Sequence, residues 1–482
     1  MTGSWRRGRD WLAFQCPRPD DSAVVRFAAR LCRVVSRLIR FATFVAFPTT
    51  VHWRRHHVMA ISKILRARLL TLAVMVACVV MVLSGCATST AATGGAIKTD
   101  KGVTGKTINL GILTPLTGPV ADPIGKPLTS GIEVFFKGIN DAGGIDGYKI
   151  NLIEKDTQYS PQLQVQAYNE IHDQVLMIAE SLGTPTTFAI KDLAGADQML
   201  VSAATLSSAL AREKYLILIG TPYRLQVENA FDYIVNKLGI AAPKTGIIYQ
   251  DDEYGQDGLT GYKESITAYH LNDVAQVSFA ATAKDYSAQV LQLKRAGAKY
   301  VFMTTTPTAT ATIIGTAHAL GYDPQWILQS PAYSPLLLAT PVAPLLQHEA
   351  WLVTQGAAWG DTSKPGMADL IRDQTKYAPA QKPDGFFEFG YTEAKLTYTI
   401  LKKAIDNKDL TRAGMVKAFE SLKTVDLGGL LPTVTYGGTG ATGNDRVPSR
   451  DNTIYAIDAT QPLTIKDLSG DFTGTAAAAS QF

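Results

Sequence analysis

The sequence predicts an α/β protein built on parallel sheets. Short runs rich in Val, Ile and Leu alternate with longer segments whose apolar residues recur at helical spacing. This alternation is typical of strand–helix–strand units. The chain has 482 residues, and its part after Cys86 is long enough for two or three domains of roughly 100 to 200 residues each.

The elements follow in order from local patterns. A first strand is predicted to end near Leu113, and Leu128, Ile132, Phe135 and Ile139 predict the helix after it. Glycines in the stretch AGGIDGYKINLIEKD stop this helix and turn the chain into a second strand. Because helical patterns separate most of the later runs, we expect parallel strands. These runs are QVLMIAES, QMLVSAA, YLILIGT, KTGIIYQDD, DVAQVSF, KYVFMTTT, QWILQS and AWLVTQG.

The cysteines are confined to the beginning of the chain. They are Cys16, Cys32, Cys78 and Cys86, and none follows. An internal disulfide therefore cannot cross-link the part after Cys86.

Residues 59–85 have the layout of a secretory signal peptide. Basic residues precede an apolar run over 69–83, which is short for a transmembrane helix. The sequence Leu-Ser-Gly-Cys that ends at Cys86 resembles the bacterial lipobox, in which the thiol of the new amino-terminal residue carries diacylglycerol. Cys86 is therefore the predicted lipidation site, and the lipid tethers the chain to the membrane.

Within residues 1–58, the stretch VVRFAARLCRVVSRLIRFATFVAF alternates arginines with apolar side chains. One interpretation is a basic amphipathic helix on a membrane surface. The interpretation that we favour is an over-extended reading frame, with the true start at Met59. Residues 86–104 are small, polar and rich in Gly and Thr, and this composition predicts a flexible spacer.

The charge distribution argues against nucleic-acid binding. Residues 1–85 carry 14 of the 46 Lys and Arg residues and only 3 of the 42 Asp and Glu residues, which leaves 32 basic and 39 acidic residues from Cys86 onward. The basic balance of the whole chain thus comes from the leader, and the exported part is mildly acidic.

Loops after the predicted strands are rich in Thr, Ser, Gly and Tyr. In parallel α/β sheets such loops lie together at the carboxyl ends of the strands, beside a crevice. Hydroxyl and N–H groups there suit a small polar or anionic ligand, although any one of them is also an ordinary helix cap. The loops are ESLGTPTT, SAATLSS, YQDDEYGQDG, TTTPTAT and QSPAYSP.

Catalytic and metal-binding patterns are not met. The segment Gly105-Lys106-Thr107 lacks the first glycine of a P-loop, and the pair His348-Glu349 lacks the second histidine of a zinc-protease helix. A Gly-x-Ser-x-Gly nucleophile elbow is also missing from the sequence. We therefore expect a protein that is not an enzyme, with no metal and no cofactor.

Several segments resemble one family. They are similar to type I periplasmic binding proteins, in particular to the leucine/isoleucine/valine receptors of ABC importers, over about residues 107–458. The family fold implies two Rossmann-like parallel-sheet lobes joined by three hinge crossings. The segments are INLGILTPLTGPVADPIG with the turn NDAGGIDGYK, then SAATLSSAL, IIYQDDEYGQDG, FGYTEAKLTYTILKKAI and LTRAGMVKAFESLKTVDLGGLLPTVTY.

The resemblance also gives a domain organisation. The crossings are placed near 219–222, 354–357 and 431–436. The predicted ranges are 1–58 for the over-extended leader, 59–85 for the signal peptide, 86–104 for the spacer, 105–220 and 356–431 for lobe one, and 221–355 and 432–482 for lobe two with its tail.

Ligand contacts follow from the family loop by loop. In amino-acid-binding relatives, hydroxyl and N–H groups in the loops that match SLGTPTT and Ala-Ala-Thr hold the ligand carboxylate. Later loops of the second lobe supply further contacts. The predicted ligand-binding residues are Thr184, Thr186, Ala203, Thr205, Tyr254, Thr305, Thr306 and Tyr333.

The sequence departs from the family where relatives bind the ligand ammonium. They have a tyrosine and a glutamate in two loops, whereas this chain has Thr305, Thr306 and the run Pro331-Ala332-Tyr333. A buried ammonium without an acidic partner costs several kcal/mol. This weighs against a branched-chain amino acid and favours a carboxylic acid, an amide or another small polar metabolite, unless Asp251 or Glu253 reaches the site.

The resemblance implies a lipid-anchored, extracytoplasmic substrate-binding protein that delivers such a metabolite to the permease and ATPase subunits of an ABC importer. One alternative is a lipid-anchored ligand sensor of the same fold with a signalling partner. A secreted hydrolase is a further alternative, with no set of catalytic residues to support it.

Overall fold

The computed structural model describes residues 97–482, and the chain from Gly95 to Phe482 forms one compact unit. The predicted leader, the signal peptide and Cys86 lie outside the described residues. Within the predicted spacer, Lys98–Thr99 and Val103–Thr104 form short strands. The last part of that segment is therefore folded.

A first parallel sheet follows from the first half of the chain. Its order is β4-β3-β5-β6-β7, with β2 antiparallel to β3 at one side. The strand β5 is buried along its whole length, which explains its continuous hydrophobic pattern. The strands of this sheet are β2 (Val103–Thr104), β3 (Thr107–Thr114), β4 (Lys149–Asp156), β5 (Met177–Leu182), β6 (Val201–Ala204) and β7 (Leu216–Ile217). The strand before them, β1 (Lys98–Thr99), lies outside this sheet.

A second sheet has the same order in its parallel part. Its strands are β8 (Lys244–Gln250), β9 (Asn272–Phe279), β10 (Tyr300–Thr304), β11 (Gln325–Gln329), β12 (Ala350–Thr354), β16 (Thr453–Ile457) and β17 (Ile465–Asp467). Two small pairs lie outside both sheets: β1 with β13 (Asp409–Leu410), and β14 (Thr424–Val425) with β15 (Val434–Thr435). The sheet order is β9-β8-β10-β11-β12-β16-β17, in which β16 and β17 are antiparallel. In both sheets the strand order reverses beside the first strand, and such a switch point is where doubly wound folds bind ligands.

Helices cover the faces of both sheets. They are α1 (Lys126–Asp141), α2 (Pro161–Ile171), α3 (Thr184–Ala189), α4 (Lys191–Ala196), α5 (Tyr223–Asp232), α6 (Glu253–Tyr269), α7 (Ser287–Ala296), α8 (Pro307–Ala319), α9 (Ala343–Glu349), α10 (Pro365–Tyr377), α11 (Gly385–Asp406), α12 (Arg412–Ser421) and α13 (Thr475–Ala479). The predicted α/β class with two parallel-sheet lobes is confirmed.

Each lobe has its own core. The core of lobe one draws on residues 108–223 and 357–436, with Tyr254 packed against it from α6, so the chain that builds lobe two interrupts it. The cores of lobe two draw on residues between 227 and 353 and on β16. Helix α1 packs along α11, and β1 pairs with β13. The chain before lobe two and the chain after it are therefore joined in lobe one.

The third crossing, predicted near residues 431–436, packs against lobe one. Val434 and Tyr436 are buried in the core of lobe one, and the Tyr436 hydroxyl donates to the carbonyl oxygen of Leu218. The chain pairs with the sheet of lobe two at Thr453, where β16 begins. These two buried residues thus belong to lobe one, although the predicted range of lobe two begins at residue 432.

Candidate functional site

A cavity of about 150 Å³ lies between the two lobes. Its wall includes the residues that directly follow four strands: Gly183 after β5, Thr205 after β6, Ser330 after β11 and Gln355 after β12. The carboxyl ends of both sheets therefore meet at this cavity, as the strand order predicts.

Two threonines form a polar part of the wall in lobe one. The Oγ1 atoms of Thr184 and Thr205 lie 2.6 Å apart and share a hydrogen bond. Thr184 begins α3, directly after Gly183, whose φ of 102° places it in the left-handed region. A Cβ atom at Gly183 would lie 2.5 Å from the Tyr159 ring. Glycine at this position thus lets the aromatic ring close over the loop.

Tyr254 enters the cavity from α6 in lobe two. Its ring packs edge-to-face on Tyr223, with 4.9 Å between the ring centroids, and its hydroxyl donates to the carbonyl oxygen of Thr305 at 3.1 Å. Burial in this cluster raises the pKa of Tyr223 to about 12. Both phenols are therefore neutral at physiological pH.

The structure brings five of the eight predicted ligand residues to the cavity wall: Thr184, Thr205, Tyr254, Thr306 and Tyr333.

The other three have different surroundings. Thr186 is buried, and its hydroxyl donates to backbone oxygens of Leu182 and Gly183. Ala203 lies within β6, and its neighbour Ala204 lines the cavity instead. Thr305 is buried and hydrogen-bonded to Thr310.

Most of the remaining wall is apolar. Sequence reasoning missed this part, because much of it lies on α11 and in the last segment of the chain, far from the predicted loops. Its aliphatic and aromatic side chains belong to Ile124, Leu128, Leu182, Leu206, Leu352, Phe386, Phe389, Leu430, Leu431, Tyr455, Leu463 and Ile465.

Glu388 brings a carboxyl group to the cavity from α11. The sequence predicts no carboxylate here apart from Asp251 or Glu253, and neither of these lines the cavity. The side chain of Glu388 is buried, and the N–H of Ala357 donates to its Oε1 at 3.2 Å. Burial raises the pKa of Glu388 to about 8, against weaker opposing effects of the Ala357 N–H and of Lys364. At neutral pH the carboxyl group is therefore mostly protonated and can donate a hydrogen bond.

Gln355 reaches the cavity from the second crossing. Its Oε1 accepts a hydrogen bond from the N–H of Thr221 in the first crossing, at 2.8 Å. The Thr221 hydroxyl donates in turn to the carbonyl oxygen of Asp451, on the segment that leads into β16. One side chain thus links the crossings and also lines the cavity.

The lobes also touch across the cleft. The Thr308 hydroxyl, at the start of α8, donates to the carbonyl oxygen of Pro119 in lobe one at 3.0 Å. Asp257 on α6 of lobe two accepts a hydrogen bond from the N–H of Ser208 at 2.9 Å, and Ser208 lies in the segment between β6 and β7 of lobe one. The two lobes are therefore in direct contact beside the cavity.

One group in the described part of the chain has side chains that could hold a metal ion. His318, Asp323 and Glu349 have ligand atoms within 4.8 Å of one another. Asp323 and Glu349 precede β11 and β12, so the group lies at the opposite edge of the sheet from the cavity. It is therefore not part of the ligand site.

A cavity between two α/β lobes, with the carboxyl ends of both sheets in its wall, is the arrangement of the type I periplasmic binding class. A family model described as periplasmic binding protein matches residues 107–462. The chain belongs to the periplasmic binding protein family, and the predicted similarity to leucine/isoleucine/valine receptors is confirmed.

Individual relatives agree with this assignment. A solved structure of a fatty acid ABC transporter substrate-binding protein from Thermomonospora curvata is 30% identical, with a TM-score of 0.75, and the match covers 80% of this chain and 97% of that chain. A Leu/Ile/Val-binding protein homolog 3 from Brucella melitensis is 29% identical over 200 residues, 40% of this chain and 53% of that protein. The chain thus spans about half the length of this curated relative. A homolog 7 from Brucella abortus is 27% identical over 310 residues, 61% of this chain and 77% of that protein.

Between residues 97 and 482, none of the helices has both the length and the apolar character needed to cross a membrane.

Proposed function

We propose that the protein binds a carboxylic acid with a substantial apolar part, such as a fatty acid, and delivers it to an ABC importer. The observation that carries the proposal is the composition of the cavity wall. Most of its side chains are aliphatic or aromatic, and among the described residues no Lys, Arg or His lines it. Burial of an alkyl chain against such a wall contributes roughly 0.8 kcal/mol per CH₂ group.

The acid group has neutral partners in this cavity. The hydroxyls of Thr184 and Thr205 and the protonated carboxyl group of Glu388 are hydrogen-bonding groups without positive charge. Hydrogen bonds to a carboxylate stabilise its charged form. The name of the Thermomonospora curvata relative supports the same ligand class.

An α-amino acid is the competing ligand class, because Glu388 could receive its ammonium group. The two classes differ in pH dependence. Ionisation of Glu388 above about pH 8 repels a carboxylate and attracts an ammonium. Affinity for an acid is thus expected to fall as pH rises through that value, whereas affinity for an amino acid is expected to rise.

The test is a thermal-shift screen followed by calorimetry on the unit from Gly95 to Phe482. The ligands are unbranched acids from butanoate to hexadecanoate, with leucine, isoleucine and valine as comparison. A free ligand at 100 times its dissociation constant adds about 2.7 kcal/mol to the free energy of unfolding. We expect the shorter acids, whose size matches a cavity of about 150 Å³, to stabilise the protein and the amino acids to bind weakly or not at all. Micromolar or tighter binding of leucine would overturn the proposal.

Anchoring and partners form the second part of the proposal. A diacylglycerol group on Cys86 holds the protein at the extracytoplasmic face of the membrane, beside permease and ATPase subunits. The order of basic residues, apolar run and Leu-Ser-Gly-Cys supports this. Cys86→Ala is expected to release the protein from the membrane fraction. A variant that stays membrane-bound at mature size would contradict the anchor.

A ligand sensor of the same fold is the alternative role. Both roles use the same closure, so binding data do not separate them. Measuring the uptake of a radiolabelled acid in cells that have lost the protein separates the two roles. A transport receptor is required for uptake, whereas a sensor is not.

A further inference from the structure

We propose that the hydroxyl group of Tyr223 binds the ligand by donating a hydrogen bond to a carboxylate oxygen of the bound acid. This inference rests on the proposed function, because it assigns a specific donor within the same cavity. Tyr223 is the first residue of α5, directly after the first crossing, and none of the loop patterns in the sequence includes it.

The cavity wall contains several tyrosines. They are Tyr159, Tyr223, Tyr254, Tyr333 and Tyr455. The hydroxyls of Tyr254 and Tyr333 form hydrogen bonds within the protein. Tyr159 and Tyr455 are only half-buried. Of these side chains, that of Tyr223 combines burial with a hydroxyl that has no hydrogen-bond partner among the described residues.

The hydroxyl of Tyr223 is open to the cavity. The residue as a whole is only 5% exposed. Its hydroxyl is nevertheless not one of the polar atoms that are both unpaired and fully buried. The hydroxyl therefore keeps some exposed surface. Because Tyr223 lines the cavity, this surface faces the cavity.

The groups nearest the phenol oxygen are donors. Burial raises the pKa of Tyr223 to about 12, and the N–H of Leu206 and the hydroxyl of Thr205 oppose this effect as donors near the phenol oxygen, although outside the geometry of a hydrogen bond. Both residues line the cavity. Because their hydrogens face the phenol oxygen, the phenol proton is favoured on the other side and remains available to an acceptor.

The threonine pair leaves a need for such a donor. Thr184 and Thr205 have two hydroxyl protons between them, and one of these lies in the hydrogen bond that joins their Oγ1 atoms. The pair can therefore give at most one proton to a ligand. A carboxylate has two oxygens and accepts several hydrogen bonds. Tyr223, beside Thr205, supplies a second donor.

The position of the phenol is fixed by its surroundings. The N–H of Tyr223 donates to the carbonyl oxygen of Leu206 at 2.8 Å, and Gln329 donates to the carbonyl oxygen of Tyr223 at 2.9 Å. The ring packs edge-to-face on Tyr254, with 4.9 Å between the centroids. A donor that is already held in place loses little conformational entropy when a ligand binds.

A preference among ligand groups follows from this arrangement. The phenol is neutral and presents its proton to the cavity, so it stabilises an oxygen that carries negative charge. An ammonium requires an acceptor, and the acceptor side of this phenol faces two donors. Tyr223 therefore favours an acid over an amine.

The test is Tyr223→Phe, which removes the hydroxyl and keeps the ring. The matched control is Tyr322→Phe in the core of lobe two, where the Tyr322 hydroxyl donates to the carbonyl oxygen of Ala298 at 2.9 Å. Tyr322 is not part of the cavity wall. Hexanoate affinity is measured by calorimetry, with the melting temperature of each empty variant to verify folding.

A hydrogen bond from Tyr223 to the carboxylate predicts roughly tenfold to hundredfold weaker hexanoate binding by Tyr223→Phe and an unchanged affinity for Tyr322→Phe. Equal affinity of Tyr223→Phe and wild type would overturn the inference and leave the proposed function intact. Wild-type protein that binds no acid would overturn the proposed function, and the inference with it.

A crystal structure of the wild-type protein with hexanoate provides a test that does not depend on the folding of a variant. The Tyr223 hydroxyl oxygen is expected about 2.5 to 2.7 Å from a carboxylate oxygen, as in other hydrogen bonds from a hydroxyl to a charged oxygen. A carboxylate bound in the cavity beyond hydrogen-bond distance of Tyr223 would overturn the inference.

Discussion

Glu393 should make the protein less stable as pH rises from mildly acidic to neutral values. It lies on α11 in lobe one with a side chain that is 0% exposed, and neither carboxyl oxygen has a hydrogen-bond partner. Burial raises its pKa from 4.5 to about 8. Glu180 is also fully buried, and burial together with the charge of Glu393 raises its pKa. An uncharged Glu393 is thus the favoured form in the folded protein.

The direction of this pH dependence follows from proton binding to the folded and unfolded states. Between pH 4.5 and about 8 the folded protein holds a proton on Glu393 that the unfolded chain has released. The folded state therefore binds more protons, and the free energy of unfolding falls as pH rises. One such group contributes a slope of up to about 1.4 kcal/mol per pH unit. From pH 5.5 to 7.5 the loss is on the order of 2 to 3 kcal/mol, a large fraction of a typical folding free energy.

The assay is urea unfolding of Glu393→Gln and wild type at several pH values in that range. Glutamine has the same shape and cannot ionise, so the variant should show a shallower slope by about 1 kcal/mol per pH unit. Glu170→Gln is the matched control, because the neighbouring Lys155 holds the pKa of Glu170 below its usual value and its charge does not change in this range. Equal slopes for wild type and Glu393→Gln would refute the reasoning.

Three further predictions concern the cavity. Thr205→Val removes one hydroxyl of the pair with Thr184. Calorimetry should show that the acid binds tenfold to hundredfold more weakly, which corresponds to about 1 to 3 kcal/mol. If the Thr205 hydroxyl serves only as a helix cap, the affinity will be unchanged. Gly220→Ala places a Cβ atom 1.8 Å from Nε2 of Gln355, so its melting temperature should fall by several degrees, whereas an unchanged value would contradict the close approach. Leu463→Asp puts a charge on the half-buried apolar wall and should weaken hexanoate binding at least roughly tenfold, with the empty protein's melting temperature as its control.

The strands were predictable because both sheets are buried between helices. A run such as QVLMIAES is either a buried strand or part of a buried helix. Because helical patterns lie on both sides of it, the strand is the better prediction. Loop residues such as Thr184 and Thr205 were predictable for a related reason, since parallel strands bring their carboxyl ends together.

The apolar wall was not predictable in the same way. Phe386, Glu388 and Phe389 lie on α11, whose buried residues extend around most of the helix. A helix that is apolar on several sides does not reveal which side faces a ligand and which faces the core. Gln355 was placed only within a predicted crossing, because the hydrogen bond that orients it comes from a residue 134 positions away.

The interruption of lobe one has a consequence for the order of folding. Its first strand, β1, pairs with β13, and α1 packs against α11, so these contacts join residues from the two ends of the lobe. The parallel strands of lobe two, from Lys244 to Thr354, lie entirely between them. A growing chain can thus assemble most of the sheet of lobe two while lobe one still lacks α11. Contacts of such long sequence separation form late and slow the folding reaction. Lobe one is expected to be the last part to acquire a closed core, and the part most exposed to aggregation beforehand.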